Sequence, residues 1–581
     1  MNSTDRIPAL RRAWLEQASQ LAFDHGRLRA EPRDPGHFFG VIYPETRIAL
    51  LLIAEAAAGH PQSDAWLADA LASLEAIAAR FTPLGVIGTI NDLNSVSFGL
   101  VYFTEALLLL RGRAPESRLA PLRDAAVRLF DDAAIHINQT TDYLNPRGMD
   151  ALTAVNLFTL TGETRFRDKA LYWLDELVVR QYACGAQPYH TGGWIWGRKP
   201  AQAYQLLTAT MMLAAGRRLA RPDAEEYVRR LMDFERLACT RRGEPFITLF
   251  EGLHKSHSDS CFEWLWPLAA ALGDARFQPL GRAAFDHWVP AAGWAGHGSL
   301  APLGGFVNAL LLGVERAPAC AEPFAPPAGL HACPDISAIF IHEPERDVGL
   351  SLLTGYSSIA EADAGNVKLY ALLPELTDNP TYRHVGLDAV RVNWRIPSEQ
   401  DACRIEGNRA ILRGRGFTKW INAEGNGDPE LNLHTRELEI GLEYENGILT
   451  LEYRTLRNKH PEPIPSRLLF LLIARPRSAS PALRIGRDTW TPPAADAPTP
   501  WLREAPVRPV VFAAPDGSAI EIAPEKCRAE RVTAERPTPR SRAENAIMSA
   551  AFKPANEGSL RLAFEGPAVL DEGRYVIRFR P

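Results

Sequence analysis

His254, His257, Asp259 and Glu263 stand in one short stretch, where imidazoles and carboxylates could move protons together. Glu263 opens an apolar segment, and a carboxylate there is costly to bury unless it is used or paired. Burial would raise its pKa and suit it to general-acid work. With Asp150 or Asp142 across a cavity, Glu263 or Asp259 would complete the two carboxylates of a glycosidase. Tyr189 and His190 form the other candidate set: a phenol and an imidazole beside a bound uronate could abstract and return the protons of a β-elimination. The His-x-x-His spacing matches no familiar zinc pattern, so no metal is expected.

Around these lie residues fit to hold a sugar acid. Arg47, Arg147 or Arg198 could bind its carboxylate, and Asn91, Asn138 or Arg147 could neutralise it and acidify the neighbouring C–H. Trp194 and Trp196, flanked by glycines, offer a flat apolar face for a pyranose, and Tyr43, His254 and His297 add polar contacts. Each has a plainer reading. Asn94, Asp142, Ser260 and Ser299 serve equally as helix caps, and the tryptophans as packing. Arg47 and Arg147 could form structural ion pairs with Glu45 or Asp150, and His297 could be a hydrogen-bonded structural histidine.

What positions these residues is a run of helices up to about residue 315. Segments 9–28, 64–80, 119–135, 165–179 and 223–238 are amphipathic, with apolar residues three and four apart. Segments 44–58, 95–110, 146–161, 200–216, 260–272 and 302–312 are apolar on most sides, begin roughly 50 residues apart and mostly start at proline. Six helical hairpins follow, and their natural closure is an (α/α)6 barrel with the apolar helices inside. Loops 37–47, 90–94, 138–150, 187–198, 254–263 and 294–299 then gather at one mouth, and they hold all the candidates above. The opposite connections are short turns.

From about residue 335 the period becomes two. Segments 437–445 and 448–454 alternate around Asn446-Gly447, and 510–514 and 519–523 flank Asp516-Gly517, both hairpin signals. Segments 336–342, 348–353, 367–373, 410–416, 467–474 and 575–580 also read as strands, so an antiparallel β-sandwich is expected. The expected organisation is α+β: a catalytic barrel over 1–315, a linker over 316–334 and the β-sandwich over 335–581. Stretch 491–506 is expected to be a surface loop.

The 581 residues are 46% hydrophobic and 23% charged with a net charge of -5, an ordinary globular balance. It argues against a nucleic-acid or membrane-surface binder. The seven cysteines are scattered, with no C-x-x-C pair, and suit a reducing compartment. The first residues carry no apolar leader core, so the expected location is cytoplasmic. No phosphate-cradling loop is present, so no organic cofactor is expected.

This organisation resembles the (α/α)-toroid carbohydrate-active enzymes. It is similar to the toroid-plus-β-sandwich polysaccharide lyases, including the heparinase II/III-like, alginate and hyaluronate lyases, and to the (α/α)6 uronyl hydrolases and β-glucuronidases. The dyads of those families are not found here: no Asn-His or Asp-Asp pair of the expected kind occurs, and His434 and Asp428 are isolated. The resemblance implies action on a uronate-containing oligosaccharide or polysaccharide. The first expectation is an exo-acting glycoside hydrolase releasing a terminal uronic acid; the alternative is a lyase cutting such glycans by β-elimination. An isomerase on the same barrel would not need so large a β-domain. A non-catalytic glycan binder would not need so many titratable groups. The oligomeric state is left open, a homo-oligomer included.

Overall fold

The computed structural model describes residues 7–20, 38–79, 90–140, 143–189, 200–246, 249–250, 261–289, 301–320, 322–352, 358–372, 375–376, 391–395, 403–421, 434–458, 466–475, 480–493, 501–536 and 560–580. These residues fall into two compact units. One comprises 1–197, 203–236 and 259–325; the other comprises 198–202, 237–258 and 326–581.

The first unit is helical. Among the described residues its helices are α1 (Ile7–Gln20), α2 (Phe38–Ala57), α3 (Ser63–Ala78), α4 (Ile90–Leu110), α5 (Glu116–Thr140), α6 (Asn145–Thr161), α7 (Thr164–Val179), α8 (Gln202–Arg218), α9 (Pro222–Leu237), α10 (Phe262–Leu272), α11 (Gln278–Trp288) and α12 (Ala301–Leu311). The two expected kinds of helix are both present. In α6 nearly every residue from Asn145 to Leu157 is buried, whereas α7 buries only the stripe Phe166, Ala170, Trp173, Leu174 and Leu177. A helix apolar all round must be covered all round. Accordingly α2 packs on α4, α4 on α6, α10 on α12 and α12 on α2. Gly148 of α6 leaves room for Thr208 of α8, whose side chain a Cβ would meet at 3.0 Å. Arg217 of α8 donates to the Ala271 carbonyl of α10 at 2.8 Å. Helix ends follow local chemistry: Pro146 sits in the first turn of α6, and Gly162 after its last turn takes φ 77°, a left-handed cap.

Three expectations are corrected. Stretches 38–47, 90–94 and 138–140 are helical, not loop, because α2 and α4 begin well before their apolar cores and α5 runs on to Thr140. Tyr43, Asn91 and Asn138 therefore lie on helices. Helix α11 had no counterpart among the amphipathic segments picked out by period.

The second unit contains two antiparallel sheets. One runs in the order Gly329–Cys333, Ala338–Glu343, Arg346–Ser351, Ala360–Ala364, Val367–Ala371, Ser466–Ala474, Leu560–Gly566, Arg531–Arg536, Trp501–Pro506. The other runs Asp488–Trp490, Ala482–Ile485, Val510–Ala513, Ala519–Cys527, Glu572–Arg580, Ile448–Asn458, His434–Glu445, Arg409–Ile421, Arg391–Arg395. Alternation places Ile339, Leu369 and Phe470 of the first and Leu442, Leu451 and Phe512 of the second in one shared core. Asn446 and Gly447 take φ 50° and 80°, the paired positive values of the tight hairpin that their sequence signals. Trp501–Pro506 is an edge strand paired with Arg531–Arg536, not part of a loop; its mostly exposed residues hide the pattern, and an edge tolerates Pro506. The opening strand Gly329–Cys333 falls inside the stretch expected as linker.

Candidate active site

The helical unit brings two of the sequence candidates together. Arg47, on α2, is 6% exposed, and its Nη2 lies 3.6 Å from Oε2 of Glu263 in the first turn of α10. The Arg47 guanidinium also lies over the Tyr102 ring of α4, 5.7 Å from its centroid. Asn308 of α12 donates to the Glu263 carbonyl at 2.8 Å, which fixes the start of α10 against α12. Gly304 completes the arrangement: a Cβ there would sit 1.6 Å from Glu263 Oε2 and 2.4 Å from Arg47 Nη2. The absent side chain is what lets the ion pair cross in front of α12. Among the described residues Glu263 is thus a partner of Arg47.

Arg147 turns to the amphipathic side. Its Nη1 donates to Glu176 Oε2 of α7 at 3.1 Å, and Arg180 binds the same carboxylate at 3.0 Å. Asp150, one turn further along α6, is 3% exposed, and its Oδ2 has no hydrogen-bond partner among the described residues. Burial pushes its carboxyl up to about 7, against the pull of the nearby Ser97 hydroxyl, Lys169 and Arg147. Asp150 is therefore half-protonated near neutrality, held between helices and not paired with Glu263.

Tyr189 belongs to an aromatic cluster that sequence alone did not single out. Its ring meets Tyr143 edge to face, with centroids 5.0 Å apart and planes at 66°. It stacks on Tyr204 with centroids 5.1 Å apart and planes at 23°. Tyr143 lies two residues before α6, Tyr204 lies in the first turn of α8, and the Leu144 N–H donates to the Tyr189 carbonyl at 3.1 Å. Three phenols therefore converge where α6 and α8 begin. Burial, with the Tyr204 phenol adding to it, pushes the Tyr143 hydroxyl above the ordinary phenol range. Tyr204 sits in an apolar run and reads as core, and Tyr143 lies in a loop richer in conspicuous residues, so neither gave a distinct signal.

Asp142, His190, Trp194, Trp196, Arg198, His254, His257, Asp259 and His297 lie outside the described residues, as do the side chains of Tyr43, Asn91 and Asn138.

No protein-family model matches the chain, and no curated protein matches it by sequence. Solved structures do. Paenibacillus xanthan lyase aligns with the whole chain at TM-score 0.59 and 10% identity, and the chain spans 58% of that lyase. A tyrosine-to-alanine mutant of the chondroitin AC lyase of Streptomyces coelicolor A3 aligns with 99% of the chain and 79% of its own length, at TM-score 0.50 and 11% identity. This chain has a polysaccharide-lyase fold. Identity this low carries over the lyase fold alone, so what each residue does must be argued from its own surroundings. The heparan sulfate lyase HepC of Pedobacter heparinus, in a mutant form, aligns more loosely, at TM-score 0.43 and 10% identity over 100% of the chain and 83% of its own.

Proposed function

We propose that the protein is a lyase that cleaves uronate-containing glycans by β-elimination, with its helices closed into an (α/α)6 toroid. The closure is supported by the neighbour relations of the apolar helices: α2 with α4, α4 with α6, α6 with α8 at Gly148, α8 with α10 at Arg217, α10 with α12, and α12 back to α2. The observation that carries the chemistry is the convergence of Tyr143, Tyr189 and Tyr204 at the starts of α6 and α8. Elimination needs a group to take the proton at C5 of the uronate and a group to protonate the departing O4. A phenol can do either.

The uronate carboxylate must be neutralised for its C5 proton to leave. Helix N-termini favour an anion, and Asn91 in the first turn of α4 is suited to the task, whereas Arg147 in that of α6 is turned to Glu176. The alternative is hydrolysis, which asks for two carboxylates open to the glycosidic oxygen. Glu263 is engaged by Arg47 and Asp150 is buried between helices, so the lyase reading is the better supported.

The test is to incubate the protein with glucuronan, alginate, ulvan, arabinogalactan, xanthan and chondroitin fragments and to weigh the products. Elimination yields a new non-reducing end lighter by one water than the end left by hydrolysis; saturated ends on every cleaved substrate would overturn the reading.

A further inference from the structure

In an elimination the proton that leaves C5 and the proton that reaches O4 need not pass through one group. The geometry points to a division of labour: we propose that Tyr143 is the acid that protonates the departing O4, while Tyr189 takes the C5 proton. The inference rests on the lyase reading and goes beyond it by assigning the two steps to two phenols.

Three observations support it. The rings of Tyr143 and Tyr189 touch edge to face with planes at 66°, so two hydroxyl-bearing rings meet in one place. Their relation is fixed by the backbone, since the Leu144 N–H donates to the Tyr189 carbonyl at 3.1 Å. Tyr204 stacks on Tyr189 with planes at 23° and so holds the plane of that ring. The environment of Tyr143 then sets its direction of action: burial and the Tyr204 phenol both oppose its ionisation, so at neutral pH it keeps a proton to give.

The step balances without any further reactant. Tyr189 as phenolate takes the C5 proton, and the released electron pair forms the C4=C5 double bond. The C4–O4 bond breaks, and O4 takes the phenolic proton of Tyr143. Tyr143 is left as phenolate and Tyr189 as phenol, and transfer of one proton between these neighbouring groups restores both. The proton lost from C5 has, in effect, been delivered to O4.

The experiment compares two uronides, one carrying an ordinary glycosidic oxygen at C4 and one carrying fluoride there, which needs no protonation to leave. Tyr143→Phe should lose about 10²–10⁴-fold in rate on the first and stay within about tenfold of the wild type on the second, the span that general-acid catalysis supplies. Tyr189→Phe should lose activity on both. Equal loss by Tyr143→Phe on both substrates, in a protein that melts with the wild type, overturns the assignment, and so does an unchanged rate on the first. If Tyr143→Phe does not fold, difluorotyrosine at position 143 keeps the ring and lowers the phenol pKa. It should move the alkaline limb of the rate profile to lower pH for the glycoside alone, and no such movement overturns the assignment. A wild type that forms no unsaturated product from either uronide sinks the lyase reading itself, a distinct failure.

Discussion

Glu263 of α10 reaches Arg47 of α2 across the bare Cα of Gly304, with Oε2 and Nη2 3.6 Å apart. Three helices distant in sequence are held at one point by a charge pair that only glycine admits. Gly304→Ala must therefore push the pair apart, at a cost of about 1–3 kcal/mol as for other overpacked sites. Thermal melting reads this directly; an unchanged melting temperature would mean that the pair yields without strain. Glu263→Gln, which takes one counter-charge from the buried guanidinium, should also lower the melting temperature.

The proposed acid role of Tyr143 gives Tyr204 an influence on the rate. Its phenol is the second cause, after burial, of the raised Tyr143 hydroxyl. Tyr204→Phe should lower that hydroxyl toward the ordinary phenol range. Activity that depends on a protonated Tyr143 is lost as pH rises through its pKa, so the alkaline limb of kcat/KM should move to lower pH. A limb that stays in place would separate Tyr204 from the proton chemistry.

Asp150 links pH to stability with the less common sign. Its carboxyl holds its proton to about 7 in the folded chain, whereas the unfolded chain ionises near the ordinary value of 3.8. Between those values the folded state binds more protons, so stability falls as pH rises and levels off above about 7. The shift corresponds to about 4 kcal/mol at 1.36 kcal/mol per unit. Asp150→Asn should flatten this slope and melt higher than the wild type at neutral pH; parallel melting curves from pH 4 to about 8 would contradict it.

In the β-unit, Asp347 is 1% exposed and is held by the Arg241 backbone N–H at 2.8 Å, Arg241 Nε at 3.0 Å and His342 Nδ1 at 2.9 Å. Burial alone would raise this carboxyl, but His342 and Arg241 outweigh it and hold it below the ordinary range. Its contribution is present above the ordinary carboxylate range and is lost as pH falls through the lowered value. Asp347→Ala should cost about 3–5 kcal/mol, the price of leaving buried donors without their carboxylate. A melting temperature within a degree or two of wild type would show that these partners find others.

Periodicity made the larger plan legible. Segment 146–161 is apolar nearly all round and lies covered as α6; Asn446-Gly447 marks a turn and forms one. Short or exposed elements were not legible. Helix α11 carries its buried stripe Leu280, Ala284, Phe285 and Trp288 over only 11 residues, too short to stand out, and Trp501–Pro506 lies largely in solvent and shows no alternation. Helix starts were misplaced because α2 and α4 begin in polar residues that resemble loop. At the site, Arg47, Glu263, Asp150 and Tyr189 could be picked out singly, because charged or phenolic groups on apolar helices demand a reason. Their groupings could not. The Arg47–Glu263 pair depends on a glycine in a third helix, and Tyr143 and Tyr204 join Tyr189 only once α6 and α8 lie side by side.

The most direct test of the central claim follows the ultraviolet absorbance of the conjugated C4=C5 uronate during cleavage, alongside reducing-end release from the same sample. Elimination requires the two signals to grow in equal molar amounts, and Tyr189→Phe to abolish both. New reducing ends without the ultraviolet band would mean hydrolysis and would contradict the account.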